Sequence, residues 1–222
     1  MKKQILTIVA SLMLTTSAFA GSLGIGVTGS LFNVETSATE TTTAGTVSGG
    51  AANTNSKTVK NNNLMSGSIY AEYTFDGFYG ATLGVDYTPG SADIRENALK
   101  RTETPASGEN SGTSTDYKAN ATVENLITYY AEIPFGGFYV KGGLTQVDVT
   151  TAESGVKAYG DDSVDGITYG VGFKTGGDGG FVSKFSLEHT DFDTVKVTST
   201  SGNTVKGDID VTGLKVSLGY SF

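Results

Sequence analysis

The chain contains a single histidine, His189, in the segment Glu188-His189-Thr190-Asp191. An imidazole beside carboxylates could act as the general base of a hydrolase, which would also need a serine nucleophile within reach. Side chains alternate between the two faces of a β-strand, so His189 and Glu188 would point in opposite directions. The residue two places after His189 is Asp191 rather than a serine. The sequence therefore favours an interfacial polar residue, and we predict no catalytic residue.

Three carboxylates lie close together in the segment Gly160-Asp161-Asp162-Ser163-Val164-Asp165-Gly166. Calcium prefers such oxygen ligands, but the segment lacks the spacing and the terminal glutamate of an EF-hand loop. A solvated acidic turn is favoured over a specific cation site. We accordingly predict no bound metal and no cofactor.

Eight charged residues share the parity opposite to the apolar residues of their strands. They are four acids and four lysines: Glu72, Asp86, Glu132, Lys141, Lys174, Lys184, Glu188 and Lys215. If the strands close into a barrel, these side chains face an interior that eight strands leave just wide enough to fill. A salt-bridged plug is the favoured interpretation. A narrow polar pathway is the alternative, since glycines on the same face could leave gaps or could relieve crowding at tight bends: Gly24, Gly26, Gly84, Gly143, Gly170 and Gly172.

The N-terminal segment and the composition of the chain restrict the class of protein to which it can belong. Lys2 and Lys3, a short apolar run and Ala18-Phe19-Ala20 predict a signal peptide over residues 1–20, which leaves one domain over residues 21–222. The chain has 31 glycines, 3 prolines and no cysteine, so disulfides do not hold the fold. A net charge of −8 argues against nucleic acid as a partner.

Eight segments alternate apolar with small or polar residues, the pattern of β-strands with two different faces. They cover residues 23–31, 65–75, 79–87, 117–135, 138–144, 167–173, 181–187 and 214–222. Long polar stretches follow the odd-numbered segments, over residues 35–63, 88–116, 149–165 and 191–208. The first of these is so poor in apolar residues that we predict a mobile loop.

The even-numbered segments are followed by short connections. Asp76-Gly77 predicts a tight turn, and matching apolar faces across it requires an odd-length connection of three residues or a bulge. Gly136-Gly137 predicts a two-residue turn that places Phe135 opposite Phe138 and Glu132 opposite Lys141. Aromatic residues gather at these short connections: Tyr73, Phe75, Phe78, Tyr79, Phe135, Phe138, Tyr139, Phe173, Phe181, Tyr220 and Phe222.

The final segment carries Leu214, Val216, Leu218, Tyr220 and Phe222 on one face. With its terminal aromatic, it resembles the closing strand of bacterial outer-membrane β-barrels, where this pattern is the signal for barrel assembly. Together with the even strand number and the alternation of long and short connections, it makes the chain similar to the small eight-stranded family of the OmpA membrane domain, OmpX and the opacity-type proteins. The resemblance covers residues 21–222.

The resemblance implies an all-β, closed, eight-stranded antiparallel transmembrane barrel with short periplasmic turns and long outer loops. It also implies a monomer in the outer membrane, in contact with lipid and lipopolysaccharide, that reaches its place through periplasmic chaperones and the barrel assembly machinery. The implied role is structural or interactional: membrane integrity, or adhesion through the outer loops. The alternative is a narrow porin-like channel for small solutes or ions; an enzyme comes third. A soluble β-sandwich is disfavoured because the face assigned to lipid is nearly free of charge.

Overall fold

The computed structural model describes residues 21–42, 53–93, 99–103, 115–154, 162–177, 179–198 and 204–222. The predicted signal peptide, residues 1–20, lies outside the described residues and stays a prediction, as does the boundary of the mature domain. Parts of the predicted long loops and the start of the acidic segment, residues 160–161, also lie outside them. The described part of the chain contains no helix that is long and apolar enough to cross a membrane.

The described residues form ten β-strands. These are β1 Gly21–Thr42, β2 Asn53–Phe75, β3 Thr82–Asp93, β4 Leu99–Glu103, β5 Thr115–Phe135, β6 Phe138–Ser154, β7 Asp162–Gly176, β8 Phe181–Phe192, β9 Val195–Thr198 and β10 Thr204–Ser221. A single 3-10 turn, Phe78–Gly80, separates β2 from β3.

Eight of these strands close into an antiparallel barrel. Sequence neighbours pair around the sheet in the order β1, β2, β3, β5, β6, β7, β8 and β10, and β1 pairs with β10 to complete the circle. The short strands β4 and β9 pair with β5 and β10 at the end of the barrel opposite the short turns. Closure gives every strand of the ring a partner on both sides, as a sheet in lipid requires, although β2 and β3 pair only from Ile69–Tyr87 to Thr74–Thr82. The predicted fold class is confirmed.

The registers of the short turns follow from matching the apolar faces. Phe135 lies opposite Phe138 and Glu132 opposite Lys141, as predicted. The Phe75 N–H donates to the Ala81 carbonyl, so the connection over residues 76–80 has the odd length that was predicted but is longer than three residues. Residues of this connection form the 3-10 turn, and the third barrel strand therefore begins at Thr82 rather than at Tyr79.

The prediction of a mobile loop over residues 35–63 was wrong over most of its length. β1 continues to Thr42, β2 begins at Asn53, and these two residues pair with each other. The other predicted loops also contain the ends of barrel strands, together with β4 and β9. Apolar content was the wrong criterion here, because pairing in a sheet uses backbone hydrogen bonds that Thr, Ser and Asn provide as well as Val does. The wall therefore extends well beyond a bilayer's thickness on this side.

The outward side chains form a continuous apolar belt around the barrel. On β1 the belt runs from Leu23 to Leu31, both exposed, about the nine residues that a tilted strand needs to cross a membrane. Toward the long-loop end it gives way to a polar rim on seven of the eight strands of the ring, all except β3: Asn33, Asn63, Asn125, Gln146, Asp165, His189 and Thr212. Rim side chains bond across strands, as in Asn33 Nδ2 to Asn63 Oδ1 at 3.0 Å and Gln146 Nε2 to Asp165 Oδ1 at 2.8 Å.

Candidate functional site

The candidate site is the barrel interior, where the structure places the eight predicted charges. All eight lie on inward-facing positions, and seven of them are buried; the Lys174 side chain is 25% exposed near the short-turn end. We call this set the polar plug: Glu72, Asp86, Glu132, Lys141, Lys174, Lys184, Glu188 and Lys215. Burial of so many charges is favourable only when each has a partner, so their contacts decide whether the lumen is filled.

One chain of ion pairs is centred on Lys184. Its ammonium group contacts Glu72 and lies 2.7 Å from Glu132 Oε2. Glu72 also lies 3.7 Å from Lys174 and accepts a hydrogen bond of 2.9 Å from the Tyr130 hydroxyl. Lys184 thus bridges two carboxylates from β2 and β5, strands on the far side of the ring from its own strand, β8. The chain spans the lumen near the short turns.

A second chain is centred on Glu188. Lys141 Nζ lies 2.8 Å from its Oε1, Lys215 Nζ lies 3.1 Å from its Oε2, and Ser186 donates to Oε1 at 2.8 Å. Lys215 also lies 3.9 Å from Asp86. Glu132 and Lys141, although opposite in register as predicted, therefore make their closest ion pairs in different chains. Side chains as long as these reach across the lumen, so register alone does not identify their partners.

Three buried tyrosines fill the space between the charges, and the sequence analysis missed this role for all of them. Each lies directly opposite a glycine on the neighbouring strand: Tyr70 opposite Gly26, Tyr130 opposite Gly84, and Tyr139 opposite Gly172. A Cβ added to any of these glycines would overlap the facing tyrosine ring. These glycines leave no gaps, because the rings occupy the space that their missing side chains provide.

Tyr139 lies at a short connection as predicted, but its side chain points into the lumen and does not join the aromatic residues on the outer surface. Phe138 points outward and is 59% exposed, so its neighbour Tyr139 points inward and is 3% exposed. The signal was available in the sequence: Tyr70, Tyr130 and Tyr139 share the parity of the plug residues, each opposite a glycine. The rings also contact the charges, with Lys141 Nζ 4.1 Å from the centre of the Tyr130 ring, a cation–π contact.

A ladder of threonines lies farther toward the long-loop end. The hydroxyl of Thr145 is 3.0 Å from that of Thr128 and in contact with that of Thr168, and Thr168 is 2.7 Å from Thr190. These residues come from β5, β6, β7 and β8 in order, so the ladder runs around half of the ring. Each hydroxyl can both donate and accept a hydrogen bond, so the buried hydroxyls of the ladder can satisfy one another without a charged partner.

The outer part of the lumen is apolar. The outer apolar cluster consists of Val147, Val149, Val164, Phe192 and Ile209, all buried. Partly buried apolar residues from β1, β5, β9 and β10 pack against it: Val34, Val123, Leu126, Val195 and Val211. From the short turns outward, the described interior thus passes from charges and tyrosines, through threonines, to a hydrocarbon core.

His189 lies on the polar rim, outside the lumen, as its parity predicts. Its Nδ1 is 3.0 Å from Thr212 Oγ1, its Nε2 is 3.9 Å from Asp210, and its ring lies 5.2 Å from that of Tyr169. The order of hydroxyl, imidazole and carboxylate resembles a nucleophile with its base. However, Thr212 is paired in register with Asn33 on one side and His189 on the other, which leaves no free backbone donors there to hold an oxyanion.

The acidic segment contributes no metal centre among its described residues. No group of three or more potential ligands capable of holding a metal ion occurs in the described part of the chain. Asp165 accepts the hydrogen bond from Gln146 instead, and Asp161 lies outside the described residues.

The final strand presents its predicted apolar face to the outside. Leu214, Val216, Leu218, Tyr220 and Phe222 are 37% to 65% exposed, whereas Lys215 and Ser221 between them are buried. Tyr220 joins Phe181 and Phe222 through ring contacts with centres 5.6 Å and 5.1 Å apart. Whether this strand is read by an assembly machinery stays a prediction.

A closed antiparallel barrel of eight strands with an apolar exterior, a polar interior and aromatics at its short turns has the architecture of a small outer-membrane β-barrel protein. No protein-family model matches the chain, and none of the curated proteins matches it.

Solved structures with similar folds include three bacterial outer-membrane proteins. Ail, the attachment invasion locus protein of Yersinia pestis, is 12% identical with a TM-score of 0.45, over 91% of this chain and 99% of that one. OprG from Pseudomonas aeruginosa is 16% identical with a TM-score of 0.46, over 92% and 97%. The outer membrane protease OmpT from Escherichia coli is 10% identical with a TM-score of 0.43, over 94% and 100%. The assignment of the class rests on the barrel geometry.

Proposed function

We propose that this chain is a structural outer-membrane barrel whose lumen is closed, exported by the predicted signal peptide and exposed to the outside through its extended strands. The observation that carries the proposal is the pair of ion-pair chains centred on Lys184 and Glu188. Both chains cross the lumen, so any pathway along the barrel axis would have to pass through them. The rings of the buried tyrosines occupy the space beside the glycines that face the lumen.

The narrow channel is the weaker candidate for a physical reason. Opening a pathway through the plug would separate buried ion pairs, and each carboxylate or ammonium left alone in the lumen would cost several kcal/mol. The outer apolar cluster would also have to part to admit a hydrated ion. An ion moving along the barrel axis would have to pass both the polar plug and the outer apolar cluster.

The surface-interaction part of the proposal rests on the strands that extend beyond the apolar belt. β1 pairs with β10 as far as Thr41–Thr204 and with β2 as far as Thr42–Asn53. This wall therefore holds a polar sheet above the membrane surface, at the level of the lipopolysaccharide head groups. We infer contacts with lipopolysaccharide there, and with other cell surfaces beyond it, for a barrel that acts as a monomer without an enzymatic role.

The direct test is the conductance of the refolded mature protein in planar bilayers. We expect no reproducible current steps from the native chain, and small steps from Glu132→Ala combined with Lys184→Ala, which removes one acid and one base from the plug. Folding is checked by heat-modifiable migration in gels.

The matched control is Asp191→Ala combined with Lys196→Ala, which also removes one acid and one base, both exposed outside the lumen. This variant should stay silent. Regular steps from the native chain, changed by the interior variant and not by the control, would overturn the closed-lumen proposal in favour of a channel.

A further inference from the structure

The short turn over residues 136–137 divides the ring into two equal parts. Strands β1, β2, β3 and β5 precede it and form the first half-ring, and strands β6, β7, β8 and β10 follow it and form the second half-ring. The half-rings meet at two joints. The β5–β6 joint closes across the short turn, with Phe135 opposite Phe138, and the β1–β10 joint places Gly24 opposite Ser221. The β1–β10 joint is the long-range step of ring closure, because its strands are the most distant in sequence.

The charges of the polar plug are distributed unequally between the half-rings. The first half-ring contributes three acids and no lysine to the plug: Glu72, Asp86 and Glu132. The second contributes all four lysines and one acid: Lys141, Lys174, Lys184, Lys215 and Glu188. The plug is neutral as a whole, but its two parts have opposite net charges of equal size. Neither half-ring alone can compensate the charges on its inner face.

Every acid of the first half-ring has a lysine of the second as its partner. Lys184 of β8 contacts Glu72 of β2 and lies 2.7 Å from Glu132 of β5. Lys215 of β10 lies 3.9 Å from Asp86 of β3. These ion pairs cross the lumen and join strands that are not neighbours in the sheet. The attraction between the half-rings is therefore additional to the backbone pairing at the two joints.

Glu188 makes its ion pairs within its own half-ring. Its carboxylate lies 2.8 Å from Lys141 Nζ on β6 and 3.1 Å from Lys215 Nζ on β10. The pair of Lys141 with Glu188 has the same chemistry and similar burial as the pair of Lys184 with Glu132, but it does not join the half-rings. The protein thus contains an internal control for the effect of crossing.

The unequal distribution of charge affects how the ring closes. A charged side chain in a membrane is costly unless it has a partner, so a half-ring that enters the bilayer alone is disfavoured. Opposite net charges attract over distances much longer than a hydrogen bond, and the attraction is stronger where water is partly excluded. Two first half-rings from different copies of the chain would place acids against acids and repel each other.

We propose that the polar plug is a closure device: the acids of the first half-ring attract the lysines of the second and draw β1 and β10 together before the ring is complete. The two half-rings then enter the membrane and close as one unit, and each closes with the complementary half-ring of its own chain. The proposal concerns assembly of the ring and holds whether or not the lumen conducts.

The test is the folding rate of the mature chain, diluted from urea into vesicles of zwitterionic phosphatidylcholine and timed by heat-modifiable migration. Glu132→Gln combined with Lys184→Met removes a pair that joins the half-rings, and at about 10 mM salt it should slow folding about fivefold or more. Lys141→Met combined with Glu188→Gln also removes one acid and one lysine, but the opposite net charges of the half-rings stay the same. This control should fold at the native rate and unfold faster, because its pair forms after closure.

Salt separates attraction at a distance from the contacts of the finished plug. At about 1 M salt, charges are screened beyond about 3 Å, so the folding rates of the native chain and of the crossing variant should converge. Their unfolding rates should still differ, since buried pairs are screened much less. Equal slowing by both variants, slowing by neither, or a ratio of folding rates that salt does not change would overturn the closure device.

A milder variant serves if the crossing variant does not fold. The Lys174 side chain is 25% exposed and lies 3.7 Å from Glu72, so Lys174→Met removes one positive charge from the second half-ring with less burial at stake. It should slow folding several-fold at low salt. Lys196→Met removes the same charge from an exposed position outside the lumen and should fold at the native rate. Equal folding rates for Lys174→Met and Lys196→Met would overturn the proposal.

Discussion

The two halves of the lumen are filled by different chemistry in the same barrel. Near the short turns, buried charges are held by ion pairs that cross the lumen, and near the long loops the outer apolar cluster packs like the core of a soluble protein. Ion pairs depend on the presence of both partners, whereas apolar packing loses stability in proportion to the atoms removed. Substitutions should therefore affect the stability of the two halves differently. In the charged half the loss should depend on whether a charge is left without its partner, and in the apolar half on how much side-chain volume is removed.

The largest effect is expected at Lys184. Replacing it with alanine leaves Glu72 and Glu132 without the ammonium that bridges them, and breaking a buried pair in this way costs about 3–5 kcal/mol. Urea unfolding in lipid vesicles, followed by the loss of heat-modifiable migration, measures the change. Lys196→Ala removes the same side chain from an exposed position and should leave the unfolding midpoint unchanged. A Lys184→Ala variant as stable as the native chain would show that the plug is not held by its ion pairs.

A smaller loss is expected where glycine and tyrosine interlock in the charged half. Gly84→Ala places a methyl group against the Tyr130 ring, and overpacking of this kind costs about 1–3 kcal/mol. Gly142 faces outward with nothing near its missing side chain, so Gly142→Ala should be neutral or slightly stabilising, since alanine restricts the unfolded chain. The same urea experiment compares the two. Equal unfolding midpoints for Gly84→Ala and Gly142→Ala would mean that the Tyr130 ring can move aside for the added methyl group.

The apolar half should show a graded response. Val164 is 5% exposed within the outer apolar cluster, and Val164→Ala removes two methyl groups from it, worth roughly 1.5 kcal/mol at about 0.8 kcal/mol per buried group. Val171→Ala makes the same change on the same strand at a lipid-facing position that is 55% exposed, and should cost less. If Val164→Ala were as damaging as Lys184→Ala, the contrast between the halves would not hold.

This contrast also separates what the sequence predicts from what it does not. Alternation is local, so the parity of Glu72 or Lys215 follows from a few neighbouring residues, and the same rule applied without exception would have turned Tyr139 inward. Pairing across the lumen is not local: Lys141 lies opposite Glu132 and yet makes its closest ion pair with Glu188, two strands away. The length of β1 was underestimated because polar residues pair as well as apolar ones. The short pairing of β2 with β3 accompanies register shifts beside Gly90 and Asn125, which no periodicity indicates.

The smallest effect is expected where the two halves meet, at the threonine ladder. Thr145 is the shared member of two hydroxyl contacts, to Thr128 and to Thr168. Thr145→Val keeps the shape but leaves both neighbours short of a partner, and the loss of such hydrogen bonds costs about 1 kcal/mol. Thr175, an exposed threonine of β7, provides the control variant Thr175→Val, which should not change the unfolding midpoint. Thr145→Val therefore tests which half the threonine layer resembles: the charged half, where an unsatisfied polar group is costly, or the apolar half, where an isosteric valine is accepted. A Thr145→Val variant with an unchanged or higher unfolding midpoint would show that the layer behaves like the apolar half. The boundary between the two halves would then lie between the threonine ladder and the polar plug.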